Sequence, residues 1–251
     1  MKNIFKLHID NLSRQKTPVL NAAPGAAEAS LYIYDVISAE WGIGALDVIA
    51  ALAQVKDAQT LHVYINSPGG DVFEGRAIMA AIDRFAGRTI AHIDSLCASA
   101  ATSIALACDE VEMSEGAFFM IHNASAMAWG DKAALREVAD LLQKIEGSIV
   151  EDYRRKTGLE PEQIARWMDE ETWFGAEEAK TNGFVDRVIA APSRPKNAWN
   201  LSAYANVPQA MRQMTTQGPV ASESLQEDTQ DLELSGMGTS NANRLRLIQI
   251  A

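Results

Sequence analysis

Residues 61–85 read LHVYI, then NSPGGD, then VFEGRAIMAAIDRF. The first run is apolar and contains β-branched Val63 and Ile65, the pattern of a buried strand. Pro68-Gly69-Gly70 breaks it, and Ile78, Ala81 and Ile82 then recur at helical spacing, so the stretch reads as strand, tight turn and helix. The same step repeats on both sides. Upstream, 30–37 (SLYIYDVI) reads as a strand and 42–55 as a helix through Leu46, Ile49, Leu52 and Val55. Downstream, 88–93 (RTIAHI) reads as a strand and the small-residue run 98–107 as a close-packed helix, with short strands expected at 110–113 and 118–121. Strands alternating with helices at this spacing imply an α/β fold of parallel βαβ units.

From Asp131, a plausible N-cap, apolar residues Leu135, Val138, Leu142, Ile145, Ile149 and Tyr153 recur every three or four positions up to the stop at Gly158. This predicts one long helix of about seven turns. Its continuous stripe suits either one face on the core or, beyond that, contact with another subunit. Short helices follow at 161–168 and 175–181 and a closing strand at 185–189. Past Ala190 the composition turns polar, and 223–233 holds five carboxylates and no basic residue. The expected organisation is an arm over 1–29, a folded domain over 30–190 and a disordered tail over 191–251.

The chain has 251 residues, 47% apolar, and a formal charge of −11. That acidity opposes nucleic acid and anionic lipid as partners. The N-terminus carries Lys2, Lys6 and Asp10 and lacks the apolar core of a signal peptide. The longest uncharged apolar run, 95–108, is 14 residues, too short for a bilayer span. Two cysteines, Cys97 and Cys108, exclude a disulfide scaffold and suit the cytoplasm. Four scattered histidines and two cysteines offer no zinc-ligand spacing, and the glycine turn lacks the lysine and hydroxyl residue of a phosphate loop. No cofactor or metal is expected.

Three places could carry chemistry. The Asn66-to-Asp71 turn could cradle an oxyanion on bare N–H groups, or be plain punctuation. Ser99, where a strand gives way to the small-residue helix, could be a nucleophile among small neighbours, or simply an N-cap. His122 ends the run Phe118 to Ile121 and could be the base that such a serine needs, or a solvated strand-end residue. His8 lies in the arm, and His62 and His92 lie in mid-strand.

Taken in order, Tyr64-Ile65-Asn66-Ser67-Pro68-Gly69-Gly70, Ala98-Ser99-Ala100 and Met120-Ile121-His122 resemble the proteolytic subunit of the Clp protease family. Phe174-Gly175-Ala176-Glu177-Glu178-Ala179, Gly183 and Asp186 continue the resemblance, which spans about 30–190. It implies a ClpP/crotonase-like spiral of ββα units with a long protruding helix, and a serine endopeptidase acting in stacked homo-oligomeric rings, either independent of ATP or served by a partner. Ser99 would be the nucleophile, His122 the general base, and the Gly70 and Ala100 amides the oxyanion hole. The family's third triad residue, an aspartate, falls at Thr172. Asp169 is the chosen substitute, with Glu170 and Glu171 the neighbouring alternatives. Glu171-Thr172-Trp173-Phe174 and Asp71-Val72-Phe73-Glu74-Gly75 look like the phage and prophage branch. That implies head maturation, with scaffold or capsid precursors as substrates, in the host cytoplasm or prohead interior. The rival readings are a ring scaffold whose protease has decayed and a crotonase-type acyl-CoA enzyme.

Overall fold

In the computed structural model, residues 4–11, 19–22, 26–190 and 199–216 are described. The chain runs α1 (Ile4–Asn11), β1 (Leu20–Asn21), β2 (Glu28–Ile33), α2 (Ala45–Gln54), β3 (Thr60–Ser67), α3 (Val72–Asp83), β4 (Arg88–Ala98) and α4 (Ala100–Leu106). It continues with β5 (Glu110–Ser114), β6 (Phe118–Ile121), α5 (Lys132–Thr157), α6 (Pro161–Asp169), β7 (Thr172–Gly175), α7 (Ala176–Thr181), β8 (Arg187–Ile189) and α8 (Gln209–Thr216). The βα alternation expected from the sequence is present. So is the long helix, which Asp131 caps by accepting from the Ala133 and Ala134 amides and which closes at Gly158.

The sheet order is β1-β2-β3-β4-β5-β8. β2 through β5 and β8 are parallel, and β1 is antiparallel to β2. Alternation sets the two faces. Leu31, Ile33, Leu61, Val63, Ile65, Ala91 and Ile93 are buried, and α2, α3 and α4 pack on one another and on the central strands. Each fully buried Leu or Ile contributes about 1.5–3 kcal/mol relative to exposure. Tyr32, Tyr64, His62 and His92 alternate with these residues and stack on one another on the opposite face.

β4 places the functional residues because it is long enough to serve two partners. Ile90 to Ile93 pair with β5, and Leu96 to Ala98 pair with β6, the register bringing Ala98 beside Met120. β6 also pairs with β7, antiparallel, setting Ile121 beside Thr172. The sequence spacing places helices at 161–168 and 175–181 and no strand between them. Four residues with a tryptophan and a phenylalanine are too short a period for such a strand to declare itself.

Both flanks of the expected domain carry structure among the described residues. Part of the arm is helical, with Leu7 buried. Beyond 198, Trp199, Leu201, Ala203, Val207 and Met211 are buried in a second apolar cluster with Leu7, Val36, Leu96, Ala98 and Met120. The polar average of the region concealed a local alternation, Trp199, Leu201, Ala203, that buries one side. Residues 191–198 and 217–251, including the acidic stretch, lie outside the described residues. α5 buries only Ile149 and Tyr153, while Leu135 and Leu141 toward its start are exposed.

Candidate active site

The glycine loop is clamped from both sides. Ser67 Oγ donates to Asp35 O at 2.7 Å and accepts from the Gly69 N–H at 3.1 Å. Ile37 N donates to Gly69 O at 2.9 Å, and Asp71 N donates to Ile37 O at 2.8 Å. Gly69 has φ +87° and Gly70 φ +156°. A Cβ on Gly69 would lie 2.5 Å from Ala98 O and 2.7 Å from Ser99 Cβ, and one on Gly70 would lie 2.1 Å from Ile37 O. The loop can press against the serine only because both positions lack a side chain. Neither the Gly70 nor the Ala100 N–H is taken by the loop's backbone bonds.

Ser99 follows β4 at φ +55°, ψ −127°, a conformation that costs a non-glycine residue about 1–3 kcal/mol. It is held there by Ser99 N to Met120 O at 2.9 Å and Thr102 N to Ser99 O at 2.9 Å, and by Thr102 Oγ1 to Ser99 O at 2.6 Å. The residue occupies the N-cap position of α4, but its hydroxyl makes no capping bond. Oγ lies instead 2.8 Å from His122 Nε2. Of the two readings of this serine, the geometry matches the one in which its hydroxyl faces a base. His122 follows β6, and the next residue is pinned by Asn123 N to Met168 O at 3.2 Å. A small cavity beside the pair is walled by Val72, Ala100, Ser103, Ala124, Ile149 and Tyr153. Behind it, the Tyr153 hydroxyl is 2.6 Å from Thr102 Oγ1 and its pKa is pushed up by burial.

The three acidic candidates separate clearly. Asp169 and Glu170 are exposed, whereas Glu171 is 2% exposed. Asp169 Oδ1 accepts from Asn123 Nδ2 at 2.7 Å. Glu171 adopts φ +51°, and its Oε1 accepts from Asn206 N at 2.7 Å and from Trp173 Nε1 at 3.4 Å. Extending the β6–β7 register one step beyond Ile121 and Thr172 puts Glu171 opposite His122. Thr172 turns its hydroxyl away, donating to Trp167 O at 2.8 Å.

Residues that the sequence reading did not single out also reach the site. The Tyr204 ring stands edge-on to His122, centroids 5.4 Å apart, and to Trp173 at 5.8 Å. Its hydroxyl donates to Pro68 O. Burial foremost, then the Glu171 charge, raises the Tyr204 pKa, and hydrogen bonding with Ser99 offsets part of that rise. Trp199 Nε1 donates to the buried Asn66 Oδ1 at 2.8 Å. The alternation over 199–203 was the available signal for this segment.

Residues 27–192 match the family model described as Clp protease. The chain is 29% identical over 199 residues to the ATP-dependent Clp protease proteolytic subunit 3 of Rhodococcus jostii, covering 75% of this chain and 88% of that one. It is 32% identical over 149 residues to the ATP-dependent Clp protease proteolytic subunit of Pleurastrum terricola, covering 58% and 75%. Among solved structures it is similar to a ClpP1 point mutant from Listeria monocytogenes, with a TM-score of 0.58, 25% identity, and coverage of 64% of this chain and 91% of that one.

Proposed function

The chain belongs to the Clp protease family and is a serine-type peptidase; we propose that Ser99 is its nucleophile, His122 its general base, and the Gly70 and Ala100 amides its oxyanion hole. Ser99 Oγ attacks the scissile carbonyl carbon while its proton passes to His122 Nε2. The carbonyl oxygen, now an anion, accepts from the two N–H groups, each donor of this kind being worth about 10²–10³ in rate. Collapse breaks the C–N bond, and Nε2 returns the proton to the leaving amine. Water then repeats the sequence on the acyl-enzyme. The observation that carries this reading is the 2.8 Å approach of Nε2 to a serine hydroxyl that sits at a helix N-cap without capping it.

Glu171 takes the orienting role first assigned to Asp169. It is buried, it immediately precedes Thr172, whose ladder partner Ile121 immediately precedes His122, and it holds a strained backbone conformation. Asp169 is exposed and turned to Asn123. A buried carboxylate beside the base would select its tautomer and stabilise the imidazolium.

The substrate is a protein or peptide, and the working form is a homo-oligomeric ring in which the exposed Leu135 and Leu141 of α5 are covered. The resemblance of 71–75 and 171–174 to phage and prophage members supports a head-maturation role on scaffold or capsid precursors, in the host cytoplasm or prohead. Among the described residues no helix is long and apolar enough to cross a membrane.

Fluorophosphonate labelling of the purified chain beside Ser99→Ala and His122→Ala tests the catalytic assignment, with light scattering on the same samples. Labelling that needs both residues supports it, and a folded oligomer that never labels contradicts it. A monodisperse monomer at micromolar concentration contradicts the ring. Capsid precursors processed equally by wild type and Ser99→Ala contradict the maturation role.

A further inference from the structure

Residues 199–207 lie beyond the family match, which ends at 192, yet they are fastened to the catalytic machinery at four points. Trp199 Nε1 bonds Asn66 at the base of the glycine loop. The Tyr204 hydroxyl donates to Pro68 O in the same loop. The Tyr204 ring stands against His122 and Trp173. Asn206 donates from its backbone to Glu171 Oε1 and from its side chain to Glu170 O, both at 2.7 Å.

A peptide carbonyl can be attacked only if it lies against the Ser99 hydroxyl with the glycine loop beside it. The Tyr204 side chain, bonded to Pro68 O and set against the His122 ring, already spans from that loop to the base. The nucleophile and base are therefore assembled underneath an occupant that belongs to the same chain.

The segment is built in two parts. Trp199 and Leu201 are anchored in the apolar cluster with Leu96, Ala98 and Met120, and the Asn200 backbone exchanges two 3.0 Å bonds with the Asn11 side chain. Tyr204 is only partly buried, and Ala205 and Asn206 are exposed. Between the buried Ala203 and Val207, these three residues form a short stretch held by ring and hydrogen-bond contacts, the kind of segment that opens locally while the fold persists.

On the reading of Ser99 as nucleophile, we propose that residues 199–207 are a self-inhibitory strap, an intramolecular occupant of the peptide-binding cleft that a substrate must displace before Ser99 can be acylated. The chemistry of the occupant names its competitor: an extended peptide that places an aromatic side chain between His122 and Trp173.

The test is the rate of fluorophosphonate labelling of Ser99 in the full chain, wild type against Tyr204→Ala. Tyr204→Phe, which keeps the ring and loses the bond to Pro68, is the milder variant should the alanine form fail to fold. A strap that leaves the cleft open about a tenth of the time gives roughly tenfold faster labelling in Tyr204→Ala and an intermediate gain in Tyr204→Phe. Unchanged or slower labelling in folded variants overturns the strap while leaving Ser99 as nucleophile. Hydrogen exchange of 203–207 gives a readout independent of reactivity. If no form labels, the peptidase assignment fails and exchange alone decides. Exchange many times faster than in β3 and β4 supports a strap that opens, and protection equal to those strands makes the segment a fixed part of the fold and overturns it.

Discussion

His122 Nε2 lies 2.8 Å from Ser99 Oγ, and the two residues directly follow neighbouring parallel strands whose register sets Ala98 beside Met120. Their meeting is thus a property of the sheet rather than of a loop. The bond from Ser99 N to Met120 O at 2.9 Å closes the same junction. Behind it, Thr102 fixes the strained serine carbonyl through both its N–H and its hydroxyl. The backbone strain is local, and four elements, β4, α4, β6 and α5, hold it in place.

Because the hydroxyl makes no cap, removing it leaves α4 as stable as before. Ser99→Ala is expected to retain its thermal midpoint within a few degrees while peptide cleavage falls about a thousandfold or more. His122→Ala is expected to fall comparably, and the double variant no further, since the two act as a unit. Additive losses in steady-state kinetics would count against a shared proton transfer.

Gly69→Ala tests the close approach of the loop. Its Cβ would stand 2.5 Å from Ala98 O and 2.7 Å from Ser99 Cβ, at a φ that alanine rarely adopts. The loop must retreat, carrying the Gly70 amide with it. A displacement of about 1 Å can cost about a hundredfold in rate, and the strain about 1–3 kcal/mol in stability. Urea unfolding and kcat on one preparation would show both losses, and a normal kcat would sink the placement of the oxyanion hole.

The parts of this fold legible in the sequence are those written in a long period. The βα steps from 28 to 106 and the 26-residue α5, with Asp131 and Gly158 at its ends, are encoded by repeated apolar spacing and by caps. Three short motifs in fixed order single out Ser99, His122, Gly70 and Ala100, and the fold brings the serine to the histidine and to the glycine loop. What was not legible depends on contacts distant in sequence. Glu171 is distinguished from Asp169 and Glu170 only by burial, which the β6–β7 pairing decides. Tyr204 and Asn206 sit in a region whose average composition is polar, and their role appears only when Trp199 and Leu201 anchor it beside β4 and β6.

Glu171 and Asp169 can be told apart by charge-removing substitutions. Glu171→Gln is expected to lower kcat by about 10²–10⁴, the range set by losing the carboxylate that orients a catalytic histidine. Asp169→Asn is expected to change it by less than about fivefold, because the Asp169 carboxylate is exposed and bonded to Asn123. Glu171→Asp should recover part of the loss, since aspartate tolerates the +51° backbone and returns a carboxylate. The reverse order of the first two variants would restore Asp169 to the role.

The last prediction concerns the sheet face away from the catalytic centre. His92 Nε2 is 2.9 Å from His62 Nδ1, and His92 Nδ1 is 3.1 Å from Glu112 Oε2. Burial lowers the His92 pKa, Glu112 opposes that shift, and His62 and Arg187 reinforce it. In the unfolded chain His92 titrates near the ordinary value of about 6.5. Between that value and the lower folded one, the unfolded state binds more protons, so stability rises with pH. The contribution is complete above about pH 6.5 and is lost as pH falls through the folded pKa. His92→Gln keeps a polar side chain without a titrating proton. Its urea midpoint is expected to vary less than that of the wild type between about pH 6.5 and 5. Equal slopes in the two proteins would mean that His92 contributes nothing to the acid limb, and the half-buried His62–His92 pair would then be a packing feature alone.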